Sequence, residues 1–80
     1  MLEEKEIRIV AEAIKRYLQA HPYASDTVDG VAIWWLTRQR FMETIETVER
    51  ALEYLVEIGE LKTTLTAEGK ILYSLSKRNN

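Results

Sequence analysis

The spacing of apolar residues changes at Gly59, and this change constrains the fold more than any other feature of the sequence. Before it, apolar residues recur at three- and four-residue steps, which is typical of one face of a helix. These residues are Ile45, Val48, Leu52, Leu55 and Val56. After Gly59, apolar and polar residues alternate, which is typical of half-buried strands. We therefore predict a helix over 44–58, followed by a hairpin over 61–76.

The ends of these elements also have sequence signals. Thr44 can cap the start of the long helix, and Gly59 can end it, because glycine readily takes the left-handed conformation found at helix ends. The hairpin turn is predicted at Ala67–Lys70. The leucine and isoleucine side of the two strands is expected to pack against the helices. The alternating residues on that side are Leu61, Thr63, Leu65, Ile71, Tyr73 and Leu75.

Two more helical patterns precede the long helix. The first covers 2–21 and ends before Pro22, with Glu12 and Arg16 spaced for a favourable pair. Its apolar stripe consists of Ile7, Val10, Ala11, Ile14, Tyr17 and Leu18. The second covers about 27–37, with Asp26 as its predicted cap after a short connector. Its inward residues are expected to be Val28, Val31, Ala32, Trp35 and Leu36.

The length and composition indicate one small folded domain over 1–80. The 80-residue chain is 46% hydrophobic and 30% charged, which is ordinary for a folded soluble protein. It has no cysteine, so disulfides and thiolate metal sites are excluded. No apolar run approaches the roughly 18 residues of a membrane span, and the acidic N-terminus does not resemble a signal peptide. We expect a cytoplasmic protein.

The adjacent tryptophans Trp34 and Trp35 constrain the second helix. On a helix, neighbouring side chains point about 100° apart, so both rings cannot occupy the centre of one small core. At least one ring is therefore expected to be partly exposed or to pack at the rim. An exposed ring could also anchor a partner or a second copy of the chain. The sequence does not decide which ring is exposed.

The order of helix, helix, long helix and hairpin is that of a winged helix-turn-helix, an α+β fold that is mainly α. The segment TVERALEYLVEIGELKTTLTAEGKILYSL resembles the second half of bacterial winged-helix transcription regulators, such as the multiple-antibiotic-resistance and PadR-like groups. The matching features are Thr47, Val48, Arg50, Leu52, Leu55, Gly59, Leu61 and LTAEGK at 65–70. The resemblance covers about the last two-fifths of the chain.

The resemblance implies that the 44–58 helix is a recognition helix lying in the DNA major groove, with the 65–71 hairpin tip as a wing near phosphates. It implies that Thr44, Thr47 and Arg50 face the DNA. It places Arg38 and Arg40 near the DNA backbone and makes Lys62 and Lys70 wing contacts. On this basis the chain would be a regulator of transcription that binds double-stranded DNA.

The charge of the long helix departs from that pattern. Its outward face carries several glutamates and one basic residue, Arg50, whereas DNA has a negative charge about every 1.7 Å along its axis. The acidic residues are Glu43, Glu46, Glu49, Glu53 and Glu57. Three interpretations stay open: a solvated helix face, a surface that meets a basic protein, and direct reading of the major groove.

Among functional interpretations, the charge favours a protein partner or self-association through Glu46, Glu49, Glu53 and Trp34. DNA binding is the alternative. Both make the chain a non-catalytic recognition module of the transcription-regulator type.

Catalysis, cofactors and metals are not predicted. The three glycines are isolated, so there is no glycine-rich phosphate loop. His21 is the only histidine, and its place at a helix end favours a structural role. A metal site would need more nitrogen or sulfur ligands than this sequence offers. No small-molecule ligand is predicted.

Overall fold

The computed structural model describes residues 4–39 and 44–76 and shows three helices and a three-stranded antiparallel sheet. The order of elements is that of a winged helix-turn-helix, as the sequence predicts, with a hairpin as its wing. The elements are α1 (Glu4–Ala20), β1 (Ser25–Asp26), α2 (Val28–Gly30, continued by Val31–Leu36 and Thr37–Gln39), α3 (Ile45–Glu57), β2 (Leu61–Leu65) and β3 (Ile71–Leu75). Hereafter, the wing is the hairpin of β2 and β3.

Both predicted ends of α3 are confirmed. The Thr44 hydroxyl accepts a hydrogen bond from the Thr47 backbone N–H at 3.2 Å, which satisfies one of the free donors at the helix start. Gly59 has a φ of 84°, and its N–H donates to the Val56 carbonyl at 3.0 Å. The next N–H, from Glu60, donates to the Leu55 carbonyl at 2.9 Å. These bonds end the helix and direct the chain into β2.

The sheet contains a strand that the sequence pattern does not reveal. β3 lies in the centre, between β2 and the two-residue β1. Ser25 pairs with Ser74 and Asp26 pairs with Tyr73, so the predicted connector between α1 and α2 contributes an edge strand. The predicted two-stranded hairpin is therefore part of a three-stranded sheet. At the wing tip, Gly69 has a φ of 87° and allows the tight turn.

The core lies where the three helices meet the proximal half of the wing. Val10, Ile14 and Leu18 of α1 pack with the buried side chains of α2, α3 and the sheet. The other buried apolar residues are Ala11, Ala13, Val31, Trp35, Leu36, Val48, Ala51, Leu52, Leu55, Leu61 and Tyr73. This cluster confirms most of the inward stripes predicted for α1 and α3.

The two tryptophans divide as expected, with one inside and one outside. Trp35 is 2% exposed and Trp34 is 59% exposed. The Trp35 ring stacks on Tyr17 with centroids 5.0 Å apart, and Tyr17 stacks on His21 at 4.3 Å. Gln39 strengthens the same contact between α1 and α2, because its side-chain amide donates to the Ala13 carbonyl at 2.6 Å. Trp35 is thus the aromatic centre of the α1–α2 interface.

The packing predicted for the wing is confirmed at Leu61 and is wrong at Leu65, Ile71 and Leu75. Leu61 is buried and Tyr73 is 8% exposed, but Leu65 is 69% exposed and Ile71 is 49% exposed. Leu75 is also 38% exposed. The alternation places all of these side chains on one face, and the most exposed cross-strand pair, Leu65 and Ile71, lies at the end of the wing next to the turn.

The details of α1 and α2 differ from the sequence prediction at three points. The cap of α2 is Thr27, whose hydroxyl accepts from the Gly30 N–H at 3.2 Å, while Asp26 accepts from the Thr27 N–H at 2.8 Å. The middle of α2, Val31–Leu36, is a π-helix, and the hydroxyl of Thr37, the next residue, donates to the Ala32 carbonyl at 3.3 Å. In α1, Glu12 pairs with Lys15 at 3.8 Å and not with Arg16, whose guanidinium donates to Gln39 at 2.8 Å.

Gly30 should tolerate no side chain while Asp26 is present. A Cβ built on Gly30 would overlap the Asp26 carboxylate, which the Thr27 N–H holds in place. We expect Gly30→Ala to destabilise the fold by about 1–2 kcal/mol, although alanine normally favours a helix over glycine. Urea unfolding measures this. In an Asp26→Ala background the penalty should shrink, and a penalty that persisted unchanged would contradict the steric explanation.

Candidate interaction surface on α3 and the wing

The outward surface of α3 is strongly acidic. Val48, Ala51, Leu52 and Leu55 hold the opposite side of the helix in the core. Because helix positions repeat every 3.6 residues, the glutamates between them project outward. We call these exposed side chains the acidic face: Glu46, Glu49, Glu53 and Glu57. Arg50 is also exposed, and it is the only basic residue in the sequence of α3.

The pKa of Tyr73 is affected by its burial and by two carboxylates of α3. Burial raises the pKa of the Tyr73 phenol, and the negative charges of Glu49 and Glu53 raise it further. Both carboxylates therefore act electrostatically on the inner face of β3. An additional anion placed beside these carboxylates would be repelled by them.

A groove lies between α3, the start of α2 and the wing. We call it the α3–wing groove. Its lining combines carboxylates, apolar side chains and one ammonium group. The residues that define it are Val28, Asp29, Glu49, Lys70, Ile71 and Tyr73. An acidic side and an apolar side thus meet in one depression of the surface.

The structure separates the residues that the resemblance assigns to DNA. Thr44 is exposed, but its hydroxyl caps α3. Thr47 does not face outward as predicted: it is 3% exposed, and its hydroxyl lies 3.0 Å from that of Thr44. Arg50 is exposed on the outward side of α3, about 100° around the helix from Glu49, which lines the groove. Thr47 is therefore a structural residue of the helix start.

The two lysines assigned to the wing lie on different surfaces. Lys70 is exposed and lines the α3–wing groove. Lys62 on β2 is opposite Ser74 on β3. Each of these two residues is next to a buried one, Leu61 on β2 and Tyr73 on β3. Because side chains alternate across a strand, Lys62 points to the outer face of the sheet. The two lysines do not form one basic patch.

The remaining predicted residues lie on and beyond α2. Trp34 is exposed on α2, next to Ile33, which is 56% exposed. Arg40 and Glu43 lie outside the described residues, and so does the side chain of Arg38. Of the predicted partner-binding residues, Glu46, Glu49 and Glu53 share the acidic face, and Trp34 belongs to another element.

Sequence reasoning misses two exposed apolar side chains of the wing: Ile71, which lines the groove, and Leu65, which lies opposite Ile71 on β2. The strand alternation assigns Ile71 and Leu65 to the core, whereas both side chains are exposed. The signal that could place them outside is length: each strand has five residues, and a strand advances about 3.3 Å per residue. A strand of about 16 Å is longer than the diameter of one helix, about 10–12 Å, so residues near the turn are the ones that a single helix is expected to leave uncovered.

Comparisons with known proteins give no family assignment. No family model matches the chain, and a search of curated proteins found no significant match. None of the helices in the described part of the chain is long and apolar enough to cross a membrane. Within residues 4–39 and 44–76, no three histidine, aspartate or glutamate side chains lie close enough to bind a metal ion. Function is therefore inferred from the surface itself.

The pKa of Tyr73 leads to a prediction about alkaline stability. Since it lies above the 10.0 of an unperturbed tyrosine, the folded state binds the phenolic proton more tightly than the unfolded chain. The stability from this proton is fully present below pH 10.0 and is lost as the pH rises through the folded pKa. Tyr73→Phe should therefore reduce the loss of unfolding free energy above pH 10.0, measured by urea unfolding across the alkaline range.

The exposed Tyr23 provides the matched control. Its side chain is 98% exposed, so Tyr23→Phe should leave the alkaline stability profile unchanged. In addition, Glu49→Gln should lower the pKa of Tyr73, which a tyrosine absorbance titration would detect. Equal effects of Tyr73→Phe and Tyr23→Phe on the alkaline profile would contradict the proposed environment of Tyr73.

Proposed function

We propose that this chain is a non-catalytic winged-helix recognition module of the cytoplasm that binds a protein partner or a second copy of itself through α3. Its second half resembles bacterial winged-helix transcription regulators, and here the recognition helix serves for protein contact. The module requires no cofactor or metal. Its role is regulatory, and its specificity comes from charge and shape.

The acidic face is the observation that carries this proposal. Glu46, Glu49, Glu53 and Glu57 are all exposed on the element that other winged helices present to DNA. Carboxylates of like sign on neighbouring turns repel one another, so a basic partner would relieve that repulsion. Complementary charge across an interface speeds association and selects partners.

The same charges oppose DNA binding by this face. The major groove is flanked by phosphates, and Arg50 would have to offset several carboxylates at once. After burial, the carboxylates of Glu49 and Glu53 also raise the pKa of the Tyr73 phenol, so a phosphate placed between α3 and the wing would be repelled by them. With Thr47 buried and Lys62 on the outer sheet face, Arg50 and Lys70 are the exposed basic residues that remain among the described residues implied to contact DNA.

Duplex DNA binding is the second candidate, because Arg50 and Lys70 are both exposed. They could contact phosphates at the edge of the acidic face. This candidate predicts binding that weakens steeply with salt and requires basic residues, whereas the protein-binding proposal requires the glutamates.

A capture experiment tests the proposal. The purified chain is used to retain proteins from a nuclease-treated extract of its source cells. We expect Glu46→Lys with Glu49→Lys to abolish retention of the specific partner, because the charge of the binding face is reversed. The matched control is Glu6→Lys with Glu12→Lys, which makes the same charge change at exposed positions of α1. Retention that survives the α3 changes, or that is seen only in extract not treated with nuclease, would contradict the proposal.

A further inference from the structure

We propose that the α3–wing groove binds an amphipathic basic helix of the partner protein, with apolar side chains on the wing and lysines or arginines on α2 and α3. This inference rests on the proposed function and specifies the partner's chemistry. The groove has an apolar side and an acidic side, and the winged-helix resemblance explains neither of them.

The wing supplies the apolar side. Ile71 lines the groove, and Leu65, directly opposite it on β2, extends the same face of the sheet beside the groove. Leu65 is 69% exposed and Ile71 is 49% exposed, and this face also carries Tyr73 nearer the core. A cross-strand pair of large apolar side chains at a wing tip is unsuited to phosphates. Burying both against apolar side chains of a partner would be favourable.

The helices supply the acidic side. Asp29 lies in the first turn of α2 and Glu49 lies on α3, and both line the groove with Tyr73. Glu49 and Glu53 also act on the Tyr73 phenol, so their charge reaches the groove interior. A lysine or arginine entering here would meet opposite charge beside an aromatic ring, which also attracts cations.

The arrangement favours a helix as the occupant. A helix with apolar residues at three- and four-residue steps presents one apolar and one basic side along its length, matching the two sides of the groove. An extended peptide would instead add to the free edge of a sheet, and the groove faces the surface of β3, the central strand. Lys70, at the wing end of the groove, would favour an acidic group at that end of the partner helix.

The test uses the full chain and a designed peptide in which leucine and lysine repeat at helical spacing. A scrambled peptide of the same composition and a leucine–glutamate peptide serve as comparison probes. We expect saturable binding of the leucine–lysine helix alone, with NMR amide shifts centred on Asp29, Glu49, Ile71 and Tyr73. Leu65→Ser with Ile71→Ser should weaken binding on the order of tenfold, since two apolar contacts are lost.

Matched variants separate the groove from the rest of the surface. Ile9→Ser with Ile33→Ser removes two exposed apolar side chains elsewhere and should leave binding unchanged. Glu49→Gln should weaken binding, whereas Glu12→Gln on α1 should not. Because all these side chains are exposed, the variants should remain folded, and circular dichroism verifies this.

Three results would overturn the inference. Equal binding of the scrambled peptide would show that the groove does not select a helix. Shifts confined to Glu46, Glu53 and Glu57, with no effect of the wing changes, would overturn the groove but support protein binding by the acidic face. Absence of binding at millimolar peptide would also overturn the inference, while the proposed function would still be decided by the capture experiment.

Discussion

Trp35→Ala is expected to destabilise the protein strongly, lowering its free energy of unfolding by about 3–5 kcal/mol. The side chain is 2% exposed and stacks on Tyr17 at the centre of the α1–α2 interface. Replacing a buried tryptophan with alanine destabilises a protein by about 3–5 kcal/mol, because apolar contacts are lost and a cavity remains. A domain of this length has a total stability of roughly 4–12 kcal/mol, so the change removes a large fraction of it.

The neighbouring tryptophan is the natural control. Trp34 is 59% exposed, so Trp34→Ala should change the unfolding free energy by less than about 1 kcal/mol. Urea unfolding followed by circular dichroism compares the two variants without depending on tryptophan emission. If the two substitutions had similar effects, the assignment of Trp35 to the core and Trp34 to the surface would be wrong.

Reversing two charges on α3 is expected to increase the affinity of the protein for duplex DNA. Glu46→Lys with Glu53→Lys removes two repulsive carboxylates and adds two cations next to Arg50. Each new phosphate contact should steepen the salt dependence of log affinity by about 0.9. At low salt we expect at least about a tenfold gain in affinity for random-sequence duplex DNA, measured by fluorescence anisotropy.

Net charge alone could also increase affinity for DNA, so the control matches the charge change. Glu6→Lys with Glu12→Lys on α1 makes an identical change in net charge at exposed positions. It should give a much smaller gain, because α1 is not the element that enters the groove in a winged helix. Equal gains in both variants would mean that the acidic face has no special role in excluding DNA.

The sequence predicts most of the fold because its strongest local signals agree with tertiary packing. Thr44 and Gly59 define α3 through backbone hydrogen bonds that a short segment can specify by itself. The inward stripes of α1 and α3 follow from helical periodicity, and the buried cluster contains most of them. An element can be predicted from sequence when its local conformational preference agrees with its packing in the whole fold.

The features that the sequence does not reveal depend on contacts between distant segments. β1 has two residues, too few to show any periodicity, and it exists only because Ser25 and Asp26 reach β3. The choice of Thr27 over Asp26 as the α2 cap depends on which side chain reaches the Gly30 N–H. Both residue types are good caps, so propensity cannot separate them.

The sign of the charge on the candidate surface can be predicted from the sequence, but the shape of the surface cannot. The glutamates of α3 indicate an acidic helix face from their spacing alone. The position of Thr47 is not predictable in this way, because a polar residue type suggests exposure while this side chain packs with Thr44 at the helix start. The positions of Leu65 and Ile71 are not predictable either, since alternation identifies a face without showing how far the helices cover it.

The most direct test of the central claim is an NMR titration of the unmodified chain with random-sequence duplex DNA at low and at moderate salt. If α3 is a protein-binding surface, its amides should not shift, even at low salt where electrostatic attraction is strongest. Saturable shifts at Thr44, Arg50 and Lys70 that disappear as salt is raised would contradict the claim. That result would establish the chain as a DNA-binding module.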